Sequence, residues 1–267
     1  MKYIYILKNW INEQYLCSFM LSMNLNAISY LEENQHKINW STLSMNSNAI
    51  NLLEKNIDKI DWTCLSSNIN AQYLLNNHPE NINWEWLCQN ESEWAIDILK
   101  KNIDKIDWYY LSSNPYAIDI LLKNIDKINW TTLSKNSNAI DILIQNQDKI
   151  DWSQLSQNTN LLAINLLKKN PTKINWSLLS SNPIAIDLLM DNQDKINWNL
   201  ISDNPNAINI ISNNLDKIDW NFLSVNSNIF EINYDFLKNI KKNMHEELIS
   251  IVMHPDNFHK ILSCEEI

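Results

Sequence analysis

The amino-acid sequence predicts an all-α protein, an elongated α-solenoid of about ten helix-turn-helix repeats of 22–24 residues with a capping helix at each end. Three observations support this prediction. Trp recurs at a nearly constant interval, Asn or Asp precedes each of these Trp, and apolar residues follow at helical spacing. The Trp residues of the series, separated by 22 or 24 residues, are Trp40, Trp62, Trp84, Trp108, Trp130, Trp152, Trp176, Trp198 and Trp220.

The repeat reads W-x-x-L-S-x-N-x-x-A-I-x-L-L-x-x-N-x-D-K-I-[DN] from each Trp, and residues 40–61 are a clean copy. A degenerate first copy begins at Ser18, and the last copy begins at Trp220 and loses the pattern after Asn226. The predicted segments are an N-terminal cap over 1–17, a repeat solenoid over 18–239 and a C-terminal helical cap over 240–267.

The Asn or Asp before each Trp, such as Asn39, predicts the N-cap of a short first helix, because its side chain can accept a hydrogen bond from a free amide of the first turn. A second Asn, six residues after Trp, predicts the N-cap of a second helix. Pro follows this Asn at Pro115, Pro183 and Pro205, the helix position that tolerates proline best.

The second helix carries the apolar stripe Ala-Ile-x-Leu-Leu and ends at a third Asn, such as Asn56 or Asn102. We expect left-handed backbone at this Asn, because the chain has no glycine to take that conformation. The Ile that follows, such as Ile60, should lie beneath the next Trp.

Neither helix would persist alone in water, so the units must be stabilised by stacking on one another. The Trp series is interpreted as the structural spine of this stack. With helices about 8–10 Å apart, ten units predict a rod or arc of roughly 90–100 Å. The alternative is a leucine-rich-repeat-like coil with one strand per unit, which the helical spacing of the apolar stripe disfavours.

Composition excludes several classes of function. The chain has neither glycine nor arginine, so it lacks phosphate-binding loops, dinucleotide-binding turns and bidentate guanidinium contacts. Its net charge of −10 provides no overall attraction to nucleic acid or anionic lipid. No apolar run is long enough for a membrane span. We therefore expect no nucleic-acid partner and no membrane partner.

The sequence offers no catalytic constellation, and we predict a non-catalytic protein without a cofactor. The four cysteines are scattered and lack C-x-x-C spacing, which favours small buried side chains in a reducing compartment. His254, His259 and Cys264 are the one cluster of metal-ligand types, but their spacing fits no zinc pattern, so no metal site is predicted.

Two units carry two extra residues each, before the Ala-Ile pair. They bring the apolar residues Trp94 and Leu161–Leu162 into one turn of the repeat. Trp86 is also outside the Trp series. The candidate partner contacts are therefore Trp86, Trp94, Leu161 and Leu162, because aromatic anchors dominate interfaces. The alternative is that they pack locally. The recurring Asp-Lys pairs, such as Asp58-Lys59, are interpreted as a solvated ridge.

With the unit written out, residues 18 to about 226 resemble the tandem Trp-x-x-Leu-Ser-x-Asn repeat proteins of AT-rich giant DNA viruses of protists. The resemblance implies a viral protein in the host cytoplasm or the virion, and little about its activity. We predict a protein–protein interaction scaffold or adaptor with a viral or host protein as partner. The alternative is a structural component of a giant-virus particle or factory.

Overall fold

The computed structural model describes the backbone of residues 5–252 and the side chains of residues 5–246. This part of the chain is mostly helical, which confirms the predicted helical repeat class. Its strands are β1 (Tyr5–Leu7) and β2 (Phe230–Ile232). The α-helices are α1 (Ser18–Leu21), α2 (Ile28–Glu33), α3 (Trp40–Met45), α4 (Ile50–Glu54), α5 (Trp62–Leu65), α6 (Gln72–Asn77), α7 (Trp84–Leu87), α8 (Glu93–Lys101), α9 (Trp108–Ser112), α10 (Ile118–Leu122), α11 (Trp130–Leu133), α12 (Ile140–Gln145), α13 (Trp152–Leu155), α14 (Leu161–Lys169), α15 (Trp176–Ser180), α16 (Ile186–Met190), α17 (Trp198–Ile201), α18 (Ile208–Ser212), α19 (Trp220–Val225) and α20 (Tyr234–Val252).

Short 3-10 helices connect the α-helices. They cover Glu13–Tyr15, Gln35–Lys37, Ser47–Ala49, Ile57–Lys59, Pro79–Asn81, Ile103–Lys105, Pro115–Ala117, Ile125–Lys127, Ser137–Ala139, Gln147–Lys149, Pro171–Lys173, Gln193–Lys195, Pro205–Ala207 and Ser227–Ile229. We number the units 1 to 10, starting from Ser18 and from each Trp of the series in turn. Within the described residues no unit is built on a strand as a leucine-rich coil would be.

The predicted N-caps of the first helices are confirmed. Asn39 Oδ1 accepts a hydrogen bond from the Thr42 amide at 3.0 Å, and Asp61 Oδ1 accepts one from the Cys64 amide at 3.1 Å. The same cap forms at Asn39, Asp61, Asn83, Asp107, Asn129, Asp151, Asn175, Asn197 and Asp219. Each first helix therefore begins where its sequence signal places it.

The prediction of left-handed backbone at the third Asn is wrong. Asn56 has φ −136° and ψ 50°, and no described residue has a positive φ. Instead, the Asn56 Nδ2 donates to the Leu52 carbonyl at 2.8 Å, and Asn102 does the same to Ile98 at 2.9 Å. The asparagine ends the helix by satisfying a free carbonyl with its side chain, so the chain needs no residue in the left-handed region.

The core is formed by the apolar stripe of each unit. In unit 2, Leu43, Ala49 and Leu53 are fully buried, and Ile60 is also buried. Trp40 and the other Trp residues of the series are only partly buried and pack against the flank of this core. The fully buried spine therefore consists of the Leu and Ala positions, and the indole rings cover its side.

A set of buried asparagines joins each unit to the one before it. Asn136 Nδ2 donates to the carbonyls of Ser112 and Asn114 at 3.0 and 2.9 Å, and its Oδ1 accepts from the Asn138 amide at 3.0 Å. Donor bonds of the same kind form at Asn24, Asn46, Asn68, Asn90, Asn114, Asn136, Asn158, Asn182, Asn204 and Asn226. We call these residues the ladder asparagines.

The hydrogen bonds of the ladder close on themselves. Asn24 in unit 1 has no earlier unit to bond, and its Nδ2 donates to the carbonyls of Ser224 and Asn226 in unit 10, at 3.0 and 2.9 Å. Helices α1 and α19 pack together in the same way as neighbouring first helices elsewhere. The prediction of an elongated solenoid, a rod or open arc, is therefore wrong, although its helical repeat is confirmed. Ten helix pairs about 8–10 Å apart would lie on a ring roughly 25–32 Å across at the helix axes.

The N-terminal segment completes unit 10. In units 1 to 8 a 3-10 helix returns the chain to the next Trp, and in unit 9 a turn does so, whereas in unit 10 the helix Glu13–Tyr15 occupies this place. The Cys17 amide donates to Ser224 Oγ at 2.8 Å, as the Asp61 amide does to Ser44 Oγ at 3.1 Å. Strand β1 pairs antiparallel with β2 beside it. The predicted N-terminal capping helix is therefore wrong for residues 5–17, because this part contains a strand and a 3-10 helix and joins the two ends of the repeat.

Helix α20 follows β2 and runs across residue 240, where the C-terminal segment was predicted to begin. Its residues 234–246 are mostly exposed, including Tyr234 and Met244. The closed ladder leaves no terminal unit for this helix to cover.

Candidate functional site

In seven units, the ammonium group of a lysine lies over the indole ring of the Trp that begins the same unit. Lys149 Nζ is 4.3 Å from the centre of the Trp130 ring, and Lys173 Nζ is 4.2 Å from that of Trp152. The lysines that do this are Lys59, Lys105, Lys127, Lys149, Lys173, Lys195 and Lys217. Most of these lysines belong to the Asp-Lys pairs, so the ridge of charge also covers the indole rings by cation–π attraction.

The titratable groups with shifted pKa values do not form a catalytic cluster. Burial raises the pKa of the Cys64 thiol to about 11 and that of Cys88 to about 11, so neither is a reactive thiolate at neutral pH. Among the described residues, no three His, Cys, Asp or Glu side chains form a group that could hold a metal ion. His254, His259 and Cys264 lie outside the described residues.

A cluster of three polar side chains lies where the N-terminal segment meets unit 1. Lys37 Nζ donates to Glu13 Oε1 at 2.8 Å and to the Tyr30 hydroxyl at 2.7 Å. The hydrogen bond from Lys37 lowers the pKa of Glu13, and burial raises the pKa of Tyr30 to about 12. These bonds tie the N-terminal segment to unit 1, which is a structural role.

A membrane span is also missing from the residues that are described. No helix within residues 5–252 is both long and apolar enough to cross a bilayer.

The residues two positions after the ladder asparagines lie together on one face of the ring. In seven units this residue is an Asn whose Nδ2 donates to a carbonyl of the preceding unit, as Asn138 does to Pro115 at 2.9 Å. These residues are Asn26, Asn48, Asn70, Asn138, Asn160, Asn206 and Asn228. Units 4, 5 and 8 carry Ser92, Tyr116 and Ile184 instead and so give up this bond.

Apolar side chains, most of them exposed, lie at or just before the second helices of units 3, 4, 5, 7 and 8 on this face. Tyr116 is 55% exposed, Leu161 66% and Leu162 47%. We define the contact arc as Tyr73, Trp94, Tyr116, Leu161, Leu162 and Ile184. Exposed carboxylates on the same helices, at Asp119 and Asp187, border it. Such a concentration of apolar and aromatic surface is typical of a protein-binding site.

The predicted contact residues are thus only partly brought together. Leu161 and Leu162 begin α14 and are exposed in the arc. Trp94 is partly buried against the core, and its Nε1 donates to Asn76 Oδ1 at 3.1 Å, so much of its ring packs locally. Trp86 lies in the first helix of unit 4 and does not belong to the arc.

Sequence reasoning missed Tyr73, Tyr116 and Ile184 in the arc. The signal was present for Tyr116 and Ile184, because both interrupt a position that is Asn in seven units. Nothing in the repeat pattern distinguishes Tyr73, whose exposure depends on how its helix packs.

The residues on either side of each ladder asparagine line the concave side of the ring. A recess of about 300 Å³ is lined by such residues from four successive units, including Glu91 and Thr159. A second, of about 210 Å³, is lined by three successive units, including Met23 and Ile69. Three recesses elsewhere each lie between two adjacent units. A recess that touches four units in a row requires a concave surface, so these residues form the inner wall.

The inner wall varies around the ring, whereas the ladder does not. In unit order it consists of Met23 and Leu25, Met45 and Ser47, Ser67 and Ile69, Gln89 and Glu91, Ser113 and Pro115, Lys135 and Ser137, Gln157 and Thr159, Ser181 and Pro183, Asp203 and Pro205, and Val225 and Ser227. Units 10 and 1 to 3 therefore present a mostly apolar sector, and units 4 to 7 a polar one.

Asp203, in unit 9, carries the strongest electrostatic anomaly of the inner wall. Its Oδ1 is buried and has no hydrogen-bond partner among the described residues. Burial raises the pKa of this carboxyl from 3.8 to about 6. Burial also raises the pKa of Glu91, on the polar sector. The carboxylate of Asp203 is therefore poorly solvated, whereas the Glu91 side chain is exposed despite its raised pKa.

Comparison of the chain with family models, with curated proteins and with solved structures found no match. The contact arc and the inner wall are therefore assigned from this chain's own geometry.

Proposed function

We propose that the protein is a non-catalytic protein–protein interaction scaffold of a giant virus, a helical solenoid of ten units joined end to end, whose contact arc binds a viral or host protein. The exposure of Tyr116, Leu161 and Leu162 on one face carries this proposal. Their units differ from the rest at the positions that form the arc, while their buried ladder is unchanged.

The chemistry of the arc defines the kind of partner. Apolar side chains at its centre would be covered by an apolar surface of the partner, with the free energy concentrated in a few aromatic and aliphatic anchors. The exposed carboxylates of Asp119, Asp141 and Asp187 favour lysine or arginine at the partner's edge. We infer a partner with a basic rim around an apolar patch, in the host cytoplasm or the virion.

The alternative, a structural component of a particle or factory, has less support. A spacer built from stacked repeats grows from an exposed terminal unit, and the bonds of Asn24 to unit 10 occupy that surface. Mass spectrometry of purified virions would favour this alternative if the protein were abundant and stoichiometric.

Quantitative pull-down from lysate of infected host cells tests the proposal with two matched double variants. Tyr116→Asn with Ile184→Asn restores the residue that seven units carry and removes two members of the arc. Ile125→Asn with Leu215→Asn removes two exposed apolar side chains from the turns that carry the Asp-Lys pairs, outside the contact arc. We expect the wild type and this second variant to capture the same partner, and the arc variant to capture at least about tenfold less, as for loss of two anchors.

Equal capture by the arc variant would contradict the assignment of the contact face. No partner above background with the wild type would contradict the scaffold function itself.

A further inference from the structure

Helix α20 presents an apolar face that the rest of the described chain covers only in part. Phe236 and Ile240 are half-buried on this face. Leu237 and Met244 lie beside them and are exposed, Met244 by 64%. The four positions follow the spacing i, i+1, i+4 and i+8, which places them on a single side of the helix. An apolar face left open on a helix of nineteen residues indicates a contact with another molecule.

Three lysines give this helix a positive charge beside its apolar face. They are Lys238, Lys241 and Lys242, and all are exposed. Lys238 and Lys241 form no ion pair with any described residue, and Lys242 lies 3.8 Å from the exposed Glu246. The chain as a whole carries a net charge of −10. Helix α20 therefore combines apolar side chains and free ammonium groups on a protein that is otherwise acidic.

The contact arc carries the opposite charge. The second residue after the buried Ala of each second helix is Asp in units 4, 5, 6 and 8, and is uncharged in units 1, 2, 3, 7 and 9. Asp119 and Asp187 stand three positions after the arc residues Tyr116 and Ile184, and so lie on the same side of the helix. Asp119, Asp141 and Asp187 are exposed and form no ion pair among the residues that the structure describes. Acidic and apolar substitutions thus coincide in one part of the ring.

The helix and the arc also match in length. Nineteen residues at 1.5 Å each make α20 about 28 Å long. Units 5 to 8 of the arc cover three intervals of about 8–10 Å. The helix begins one residue after β2, at the junction of units 10 and 1, which is opposite units 5 and 6 in a ring of ten. Because Met244 and the arc residues Leu161 and Leu162 are all exposed, the helix does not cover the arc of its own chain.

We propose that α20 of one copy of this protein binds the contact arc of a second copy. Leu237 and Met244 contact the apolar side chains of the arc, and the lysines lie against its free aspartates. The inference rests on the proposed function of the arc as a binding surface, and adds a self-association that competes with the other partner of the arc. Because the helix and the arc are different surfaces, the contact is head-to-tail.

Two other occupants fit α20 less well. Two copies of the helix packed antiparallel about Ile240 would place Lys238 of one against Lys242 of the other, and like charges at this distance repel. An anionic lipid surface is attracted less strongly than the arc, because Asp235 and Glu246 offset part of the lysine charge and the ring itself is acidic.

Sedimentation velocity of the full chain across a dilution series tests the proposal. We expect the average mass of the wild type to rise with concentration above that of one chain. Leu237→Asn with Met244→Asn changes two exposed side chains of the helix and should weaken self-association at least about tenfold, and the arc variant Tyr116→Asn with Ile184→Asn should do the same. Ile125→Asn with Leu215→Asn is the matched control and should associate like the wild type.

An exchange of charges tests the pairing of the two surfaces. Lys238→Asp with Lys241→Asp makes the helix acidic, and Asp119→Lys with Asp187→Lys makes the arc basic. Each variant alone should lose self-association, because its helix and arc then carry the same sign of charge. An equimolar mixture should restore association, since the acidic helix of one variant meets the basic arc of the other. Restoration also verifies that both variants are folded.

A wild type that stays monomeric at every concentration would overturn the proposal. Self-association that persists in the arc variant, or a mixture that does not associate, would do the same. Binding of the wild type to phosphatidylserine vesicles, lost in Leu237→Asn with Met244→Asn, would assign α20 to a lipid surface instead.

The outcomes also separate this inference from the proposed function. Capture of a lysate partner by the wild type and not by the arc variant, without any self-association, would overturn the inference alone. Self-association that the arc variant loses, without capture of a partner from lysate, would support the inference and contradict the scaffold function.

Discussion

The ladder asparagines and the residues beside them lie within one short turn of each unit, yet they differ in every respect that matters for function. The ladder is Asn in all ten units, is buried, and makes the same bonds even between units 10 and 1. The flanking positions range from Met23 to Lys135 and Asp203. The comparison indicates that the ladder maintains the ring and leaves its neighbours free to specialise.

The largest expected effect is the loss of a ladder side chain. Asn136→Ala removes two donor bonds and one acceptor bond from buried groups, and should lower the free energy of unfolding by about 2–4 kcal/mol. Chemical denaturation measures this loss. The flanking Ser137→Ala is the control and should change the free energy by less than about 0.5 kcal/mol. Equal losses for both variants would remove the distinction between ladder and flank.

Asn24→Ala extends the comparison to the closing junction, where no peptide bond links the two units. We expect water to reach the freed groups there, since unit 1 can separate from unit 10. Hydrogen exchange should accelerate at β1 and β2 in this variant and not in Asn136→Ala. Unchanged exchange would mean that the strand pair closes the ring without the ladder.

A flanking residue should change stability in the opposite direction. The pKa of Asp203 is about 6 in the folded protein and 3.8 ordinarily, so ionisation opposes folding and stability falls as pH rises through this interval. Asp203→Asn should raise the free energy of unfolding by about 1–2 kcal/mol above pH 7, less than the full shift implies because the side chain is partly exposed. Denaturation below pH 4 should show no gain, and a pH-independent gain would exclude ionisation as the cause.

The smallest expected change in the free energy of unfolding comes from a lysine that lies over a Trp ring. Lys149→Ala removes the cation above Trp130 and should cost about 0.5–1 kcal/mol. The exposed Lys168→Ala is the control, and its unfolding free energy should equal that of the wild type. A shift in Trp fluorescence with Lys149→Ala alone would show that the lysine covers the ring.

Local features of this fold could be predicted from the sequence because they depend on neighbouring residues. Asn39 precedes Trp40 by one position, and a cap needs no more than that. Closure could not be predicted, because it depends on small rotations between units that accumulate over the whole chain. A trace of it is visible in Asn12 and Leu16, which match the third Asn and the Ile of the repeat.

The candidate sites show the same division. The insertion drew attention to Leu161 and Leu162 by sequence alone, and both are exposed. Asp203 gave no sequence signal, since an acidic residue at one variable position is unremarkable until the wall around it is known. Burial and curvature, which decide its chemistry, belong to the assembled ring.

A circle of repeats has a fixed size in a way that an open array does not. Each junction must turn the chain by one tenth of a full revolution, so a duplicated or deleted unit would leave a gap or a clash instead of a longer or shorter protein. Open arrays can drift in length through evolution. In this molecule Asn24 must meet unit 10, and that requirement makes the number of units itself a selected property.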